Sequence, residues 1–191
     1  VHGLVAFETP EGAEAAARWA ERSLGFAERT GNPLLIHTAI NQYAVAMGGI
    51  PGMARIARIL DEEGARFARM HGLNSQLGWS LNNLALCEAK EGRFERAISL
   101  LDEAVGVNLN FKAGSRLSLP MAAQIEYHVL TGRLERALSF AEIAEEKSGP
   151  PTMATLPEWV EMFQAIAWAR DTAGVETDPA LFSMVEAVAS A

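Results

Sequence analysis

Apolar residues recur at spacings of three and four along most of this chain, the period of a helix face and not of a strand. The runs Trp79-Ser80-Leu81-Asn82-Asn83-Leu84-Ala85-Leu86-Cys87-Glu88-Ala89 and Ala97-Ile98-Ser99-Leu100-Leu101-Asp102-Glu103-Ala104-Val105 show it clearly. The pattern predicts about nine helices: a short piece near 2–8, then 10–30, 33–48, 51–71, 75–91, 93–110, 116–131, 133–147 and 156–173, with a tenth segment near 179–190. Punctuation agrees. Thr9-Pro10 and Asn32-Pro33 each place a capping side chain before a proline at the first helical position. Gly31, Gly72 and Gly149 suit helix stops, Thr155-Leu156-Pro157-Glu158 has the spacing of a capping box, and Asp178-Pro179 opens the last segment.

The chain repeats itself. Gly92-Arg93-Phe94-Glu95-Arg96-Ala97 returns 40 residues later as Gly132-Arg133-Leu134-Glu135-Arg136-Ala137. Each copy follows one amphipathic run and opens another. The glycine suits a turn with positive φ where a helix stops. The residue two on folds back over the joint, and the alanine five on lets two helices approach closely. A weaker copy lies upstream: Asn41-Gln42-Tyr43-Ala44 matches Asn82-Asn83-Leu84-Ala85, and Leu60-Asp61-Glu62-Glu63 echoes Leu101-Asp102-Glu103-Ala104. A half-copy, Ala20, Leu24 and Ala27, has the spacing of Ala97, Leu101 and Ala104.

Leu84, Ala85, Gly92, Phe94, Ala97, Leu101 and Ala104 fall at the spacings of the tetratricopeptide signature, and Gly132, Leu134, Ala137, Ala141 and Ala144 repeat it. The sequence departs from that signature in three ways. Glu88 and His128 stand where it has an aromatic, the closing proline is missing, and the period is about 40 against 34. The longer repeat resembles the sensor region of large bacterial signalling ATPases and transcriptional activators. The resemblance implies an all-α fold, a right-handed superhelical stack of antiparallel helix hairpins. It implies one repeat domain over 1–191, with repeats at about 10–31, 33–72, 75–114 and 116–149 and capping helices over 155–191. It further implies a non-catalytic protein–protein interaction scaffold, a regulatory module of a larger protein. The alternative is a sensor that binds a small effector in its concave groove.

Composition fits this reading. Of 191 residues, 49% are hydrophobic and 21% charged, enough to build a core. A formal charge of −8 repels a phosphate backbone, so direct nucleic-acid binding is not expected. The single cysteine, Cys87, excludes an internal disulfide and fits a reducing, cytoplasmic setting. No apolar run of membrane-spanning length and no signal-peptide pattern is visible, so no membrane partner is expected. The first residue is Val, which reads as a fragment of a longer polypeptide or a processed chain.

Chemistry-bearing motifs are sparse. Gly48-Gly49-Ile50-Pro51-Gly52 lacks the Lys-Ser or Lys-Thr of a phosphate loop and reads as a turn. His2, His37, His71 and His128 have no partner at metal-ligand spacing. Glu126 and His128 are two apart and point to different faces of a helix. No nucleophile motif is present. Neither catalysis, nor a metal, nor a cofactor is expected.

Three surfaces stand out. Arg55, Arg58, Arg66 and Arg69 fall within about an 80° arc of one helix, with Glu62 inside it. That is either a solvated face with local ion pairs or a docking surface for an acidic partner. The first helices of the hairpins, taken as the concave face, expose Thr38, Asn41, Gln42, Trp79, Asn82, Asn83, Ala122, Ala123 and Glu126. The matched Asn41 and Asn82 can grasp a peptide backbone or only hold neighbouring repeats together. Trp159, Phe163 and Trp168 form either a core or an interface. The partner expected is a protein or peptide of unknown identity, and a homodimer through an apolar end of the stack stays open.

Overall fold

The computed structural model describes residues 10–110, 117–147 and 156–176. They form eight α-helices: α1 (Pro10–Thr30), α2 (Pro33–Gly48), α3 (Ala54–Met70), α4 (Asn74–Lys90), α5 (Phe94–Asn110), α6 (Ser118–Leu130), α7 (Leu134–Lys147) and α8 (Leu156–Thr172). Among the described residues there is no strand. The predicted pieces near 2–8 and 179–190, the stop at Gly149 and the caps at Thr9, Thr155 and Asp178 lie outside the described residues.

The turns follow the logic of the repeat. Gly92 and Gly132 have φ of 77° and 74°, the left-handed region that glycine enters without a Cβ penalty. After α6 the Arg133 N–H donates to the His128 carbonyl at 2.8 Å and the Gly132 N–H to the Val129 carbonyl at 3.0 Å. The helix is therefore closed by its own backbone. Asn32 caps α2, its side-chain oxygen accepting from the backbone N–H of Leu34 and Leu35 at 3.0 and 3.4 Å. The largest departure from the expected boundaries is at the start of α3. The helix predicted from residue 51 starts at Ala54, because Gly52 takes φ 83° and Met53 N–H bonds back to Ile50. The glycine-rich stretch before it is a turn.

The chain divides into two compact units, residues 1–91 and 92–191. In the first, α1 packs on α2, α2 on α3 and α3 on α4. Its buried face is rich in alanine: Ala13, Ala17, Ala20 and Ala27 on α1, Ala39, Ala44 and Ala46 on α2, Ala57, Ala65 and Ala68 on α3. Small side chains let helix axes approach, and Gly64 takes this furthest. A Cβ there would lie 2.9 Å from Ser80 Oγ and 3.5 Å from Ile40 Cγ2. The buried His37 and Ser80 side chains share a hydrogen bond of 3.0 Å at the same place, so α2, α3 and α4 meet around it.

In the second unit α6 packs on α5, α7 and α8, and α8 also on α7. Its core gathers Val105, Met121, Ile125, Ala137, Ala141, Ala144, Met162 and Ile166, with Trp159 and Phe163. Burying each of the large members contributes roughly 1.5–3 kcal/mol. Phe94 meets the Tyr127 ring edge-on at 5.7 Å, the fold-back cover expected of that repeat position. Trp159 and Phe163 are core residues with ring centroids 4.0 Å apart, whereas Trp168 is 40% exposed.

Candidate functional site

The first unit carries an open, apolar groove of about 340 Å³ between α1 and α2. Ser23, Phe26, Ala27 and Thr30 form one wall, and Leu35, Thr38, Ala39 and Gln42 the other. Each wall is an i, i+3, i+4, i+7 set, one face of its helix. Phe26 is 62% exposed and Leu35 47%, although side chains of this size are normally drawn inward. The threonine hydroxyls of the walls are bonded within their own helices. Thr30 Oγ1 donates to the Ala27 carbonyl at 2.6 Å, and Thr38 Oγ1 to the Leu34 carbonyl at 2.8 Å. With their polar hydrogens used within their own helices, both threonines offer mainly methyl surface. The walls are thus more apolar than their residue types suggest.

Thr38 and Gln42, both expected on a binding face, line this groove. The other expected residues are distributed elsewhere. Asn41 is half-buried, and its Nδ2 is buried without a hydrogen-bond partner. Trp79 is 36% exposed. Asn82 is buried rather than exposed, with its Oδ1 unpartnered. Ala122 and Ala123 are buried too, which corrects the exposure expected for them; Ala122 belongs to the core that α6 forms with α8. Glu126 is half-buried, and burial together with the nearby Glu161 pushes its carboxyl above the usual range.

The residue that links neighbouring helices is Asn83. Its Nδ2 donates to Asp61 Oδ1 at 3.3 Å, across the α3–α4 interface. Asp61 is buried, and desolvation, opposed by that hydrogen bond, raises its pKa to about 7. Beside it Arg58 reaches both Glu62, at 3.1 Å, and the buried Glu88, at 3.3 Å. Arg66 pairs with Glu63. Arg58 and Arg66 are thus paired with neighbouring carboxylates, and Arg55, Arg66 and Arg69 lie on the exposed surface. Cys87 sits half-buried near this seam, and burial and then Asp61 push its thiol up, which disfavours the thiolate.

The second unit holds a different cleft, of about 460 Å³, lined by Glu95, Ser99, Asp102, His128, Arg133, Arg136 and Phe140 among others. Glu95 pairs with Arg133, and Asp102 accepts from the Gln124 amide. His128 stacks on Phe140 with centroids 5.5 Å apart, and its buried Nδ1 has no partner. Burial, then Arg133, holds its pKa below the usual value. None of the expected concave-face residues lines this cleft. Among the described residues no three His, Cys, Asp or Glu side chains gather as metal ligands, and no helix is long and apolar enough to cross a membrane.

Sequence reasoning missed Phe26, Leu35 and the exposed Trp19 beside them. The signal was present: Trp19 and Phe26 are seven residues apart, on a face where the repeat-matched positions of α5 carry Arg96 and Glu103.

No family model matches the sequence, and no curated protein sequence matches it. Solved structures do. BtubC (BKLC) from P. vanneervenii superposes with a TM-score of 0.67 at 14% identity, over 93% of this chain and 91% of that one. Two structures of a kinesin light chain with nearly identical TPR-like repeats from Podosopora anserina give TM-scores of 0.61 and 0.59. They are 16% and 15% identical, over 93% and 94% of this chain and 86% and 88% of theirs. At such identities the likeness concerns the fold, and it shows that this chain has an all-α, tetratricopeptide-like repeat fold.

Proposed function

We propose that the chain is a non-catalytic protein–protein interaction scaffold that holds a segment of a partner protein along the groove between α1 and α2. The observation that carries this reading is the groove itself: two helix faces with matched spacing, apolar, open, and bearing exposed Phe26 and Leu35. Such a surface suits an apolar segment laid between two helices. The resemblance of the repeats to those of bacterial signalling proteins extends the proposal: a regulatory module within a larger cytoplasmic protein.

Peptide display against the intact chain tests it. Selected peptides should lose binding to Phe26→Glu and to Gln42→Trp, which alter exposed groove positions and spare the core. A selection returning only peptides indifferent to both variants would refute the reading. A second reading, a small effector, is supported by the cleft of the second unit and the unpartnered Nδ1 of His128. Its sign would be a ligand-dependent rise in melting temperature that Phe140→Ala abolishes.

A further inference from the structure

The exposed face of α1 carries more than the groove wall. Trp19 is 64% exposed and Phe26 62%, and at 100° per residue they lie within about 20° of each other around the helix. Ser23 and Thr30 flank them on the groove side. Arg22 and Arg29 flank them on the other side, about 40–80° away. Each guanidinium lies over its aromatic neighbour, Arg22 4.9 Å from the Trp19 ring and Arg29 4.4 Å from the Phe26 ring. Among the described residues neither arginine has a carboxylate within salt-bridge distance. Glu14, Glu21 and Glu28 lie further round α1, beyond the arginines. The only ion pair on this helix joins Arg18 to Glu14, at 3.9 Å, among the described residues.

The order around α1 is therefore groove, aromatic pair, arginine pair. The motif is repeated at seven-residue spacing, Trp19-Arg22 then Phe26-Arg29, which sets the two arginines about 10.5 Å apart along the axis. The matched positions of α5, Arg96 and Glu103, are charged as solvent-facing positions should be. An aromatic pair in their place, exposed and stacked under guanidinium groups, is the composition of a protein interface.

We infer that the partner segment is an amphipathic helix of a separate protein, laid along α1 with its apolar face in the α1–α2 groove and an acidic edge on Arg22 and Arg29. This rests on the reading of the groove as the binding site and adds the partner's chemistry. Carboxylates two turns apart on the incoming helix match the spacing of the arginines. Apolar side chains between them meet Trp19 and Phe26 and enter the groove beside Leu35. Covering the rings strengthens each cation–π contact, since desolvation raises it, and an arginine stacked in this way loses little further freedom on pairing.

Three synthetic peptides of the same length and leucine positions test this against the intact chain, by fluorescence anisotropy. One carries Glu at the two edge positions seven apart, one carries Lys there, and one has the Glu sequence scrambled. The Glu peptide should bind at least about tenfold more tightly than the Lys peptide at low salt, the preference shrinking as salt rises. Arg22→Glu combined with Arg29→Glu should invert that preference, with circular dichroism unchanged because both positions are exposed. Trp19→Ala with Phe26→Ala should weaken both helical peptides alike. If Glu and Lys peptides bind equally and both lose binding to Phe26→Glu, the groove stands and the acidic partner falls. If neither binds at millimolar concentration, or the scrambled peptide binds as well, the inference is overturned. It is overturned equally if the Glu peptide binds only after residues 1–9 are removed, since the chain's own segment would then be the occupant. Self-association of the chain, lost in Phe26→Glu, would assign the face to a second copy and overturn it as well.

Discussion

Gly64→Ala measures how tightly the first unit is closed around its His37–Ser80 hydrogen bond. Glycine in a helix interior costs about 1 kcal/mol relative to alanine, so propensity alone makes this substitution stabilising. The geometry opposes it. The new Cβ would stand 2.9 Å from Ser80 Oγ, 3.5 Å from Ile40 Cγ2 and 3.7 Å from His37 Nε2. Ser80 Oγ cannot withdraw freely, because it is bonded to His37 at 3.0 Å and both residues are buried. Overpacking of this kind costs about 1–3 kcal/mol, and losing the hydrogen bond adds about 1 kcal/mol. Set against the propensity gain, the net expectation is destabilisation of about 1–3 kcal/mol. At roughly 2–4 °C per kcal/mol this is a fall of several degrees in melting temperature. A double-mutant cycle separates the terms. Ser80→Ala alone leaves the His37 nitrogen unpaired, at about 1–3 kcal/mol. In the double variant the alanine methyl at 64 fills the space the hydroxyl vacated, so the two changes should cost at least about 1 kcal/mol less than their sum. Thermal and urea unfolding followed by circular dichroism give all four corners. A stabilised Gly64→Ala, or simple additivity, would show that the three helices do not meet as closely as described.

The remaining predictions concern polar groups. Asp61 has a folded pKa near 7, well above its ordinary value, so the folded state binds the proton more tightly. Its contribution is fully present below about pH 4 and is lost as the pH rises through 7. Melting temperature should fall over that interval, and Asp61→Asn should flatten the fall; an unchanged profile would refute the assignment. Arg58→Ala should destabilise by about 1–2 kcal/mol, since it removes a partner of the buried Glu88, while Arg66→Ala, at an exposed pair, should leave stability nearly unchanged. Equal effects in urea titrations would contradict that division. Thr38→Val should leave both stability and peptide binding within about 0.5 kcal/mol, because the hydroxyl bonds only its own helix. A large loss of binding would show that the threonine hydrogen-bonds the ligand.

The fold was legible because helices with this repeat announce themselves locally. Period, caps and the two glycine hexapeptides gave all eight described helices to within a few residues, and the most displaced start, at Ala54, came from Gly52 taking a positive φ. The candidate site was legible in part: Thr38 and Gln42, expected on the concave face that the family geometry implies, line the candidate groove. Burial could not be read the same way. Asn82 and Ala122 were expected to be exposed from the pattern, but their exposure depends on which helices cover them, and both are buried. Asn83, next to the matched asparagine, is the one that reaches another helix, a distinction set by about 100° of rotation.

The two kinds of polar feature in the first unit argue for different roles. At the α3–α4 interface charges and amides find one another: Asn83 with Asp61, Arg58 with Glu62 and Glu88. A partner docking there would have to break contacts that Arg58 already makes, so that part of the arginine stripe is poorly suited to capture. Along α1 and α2 the threonine hydroxyls are satisfied within their helices, the aromatic rings are exposed, and Arg22 and Arg29 have rings beneath them but no carboxylate among the described residues. Covering that face would disrupt no hydrogen bond and would remove apolar surface from water, at roughly 25 cal/mol per Å². Binding energy is available where the fold has left contacts unmade, and on that ground the α1–α2 face, more than the charged α3 face, is the proposed site for a partner.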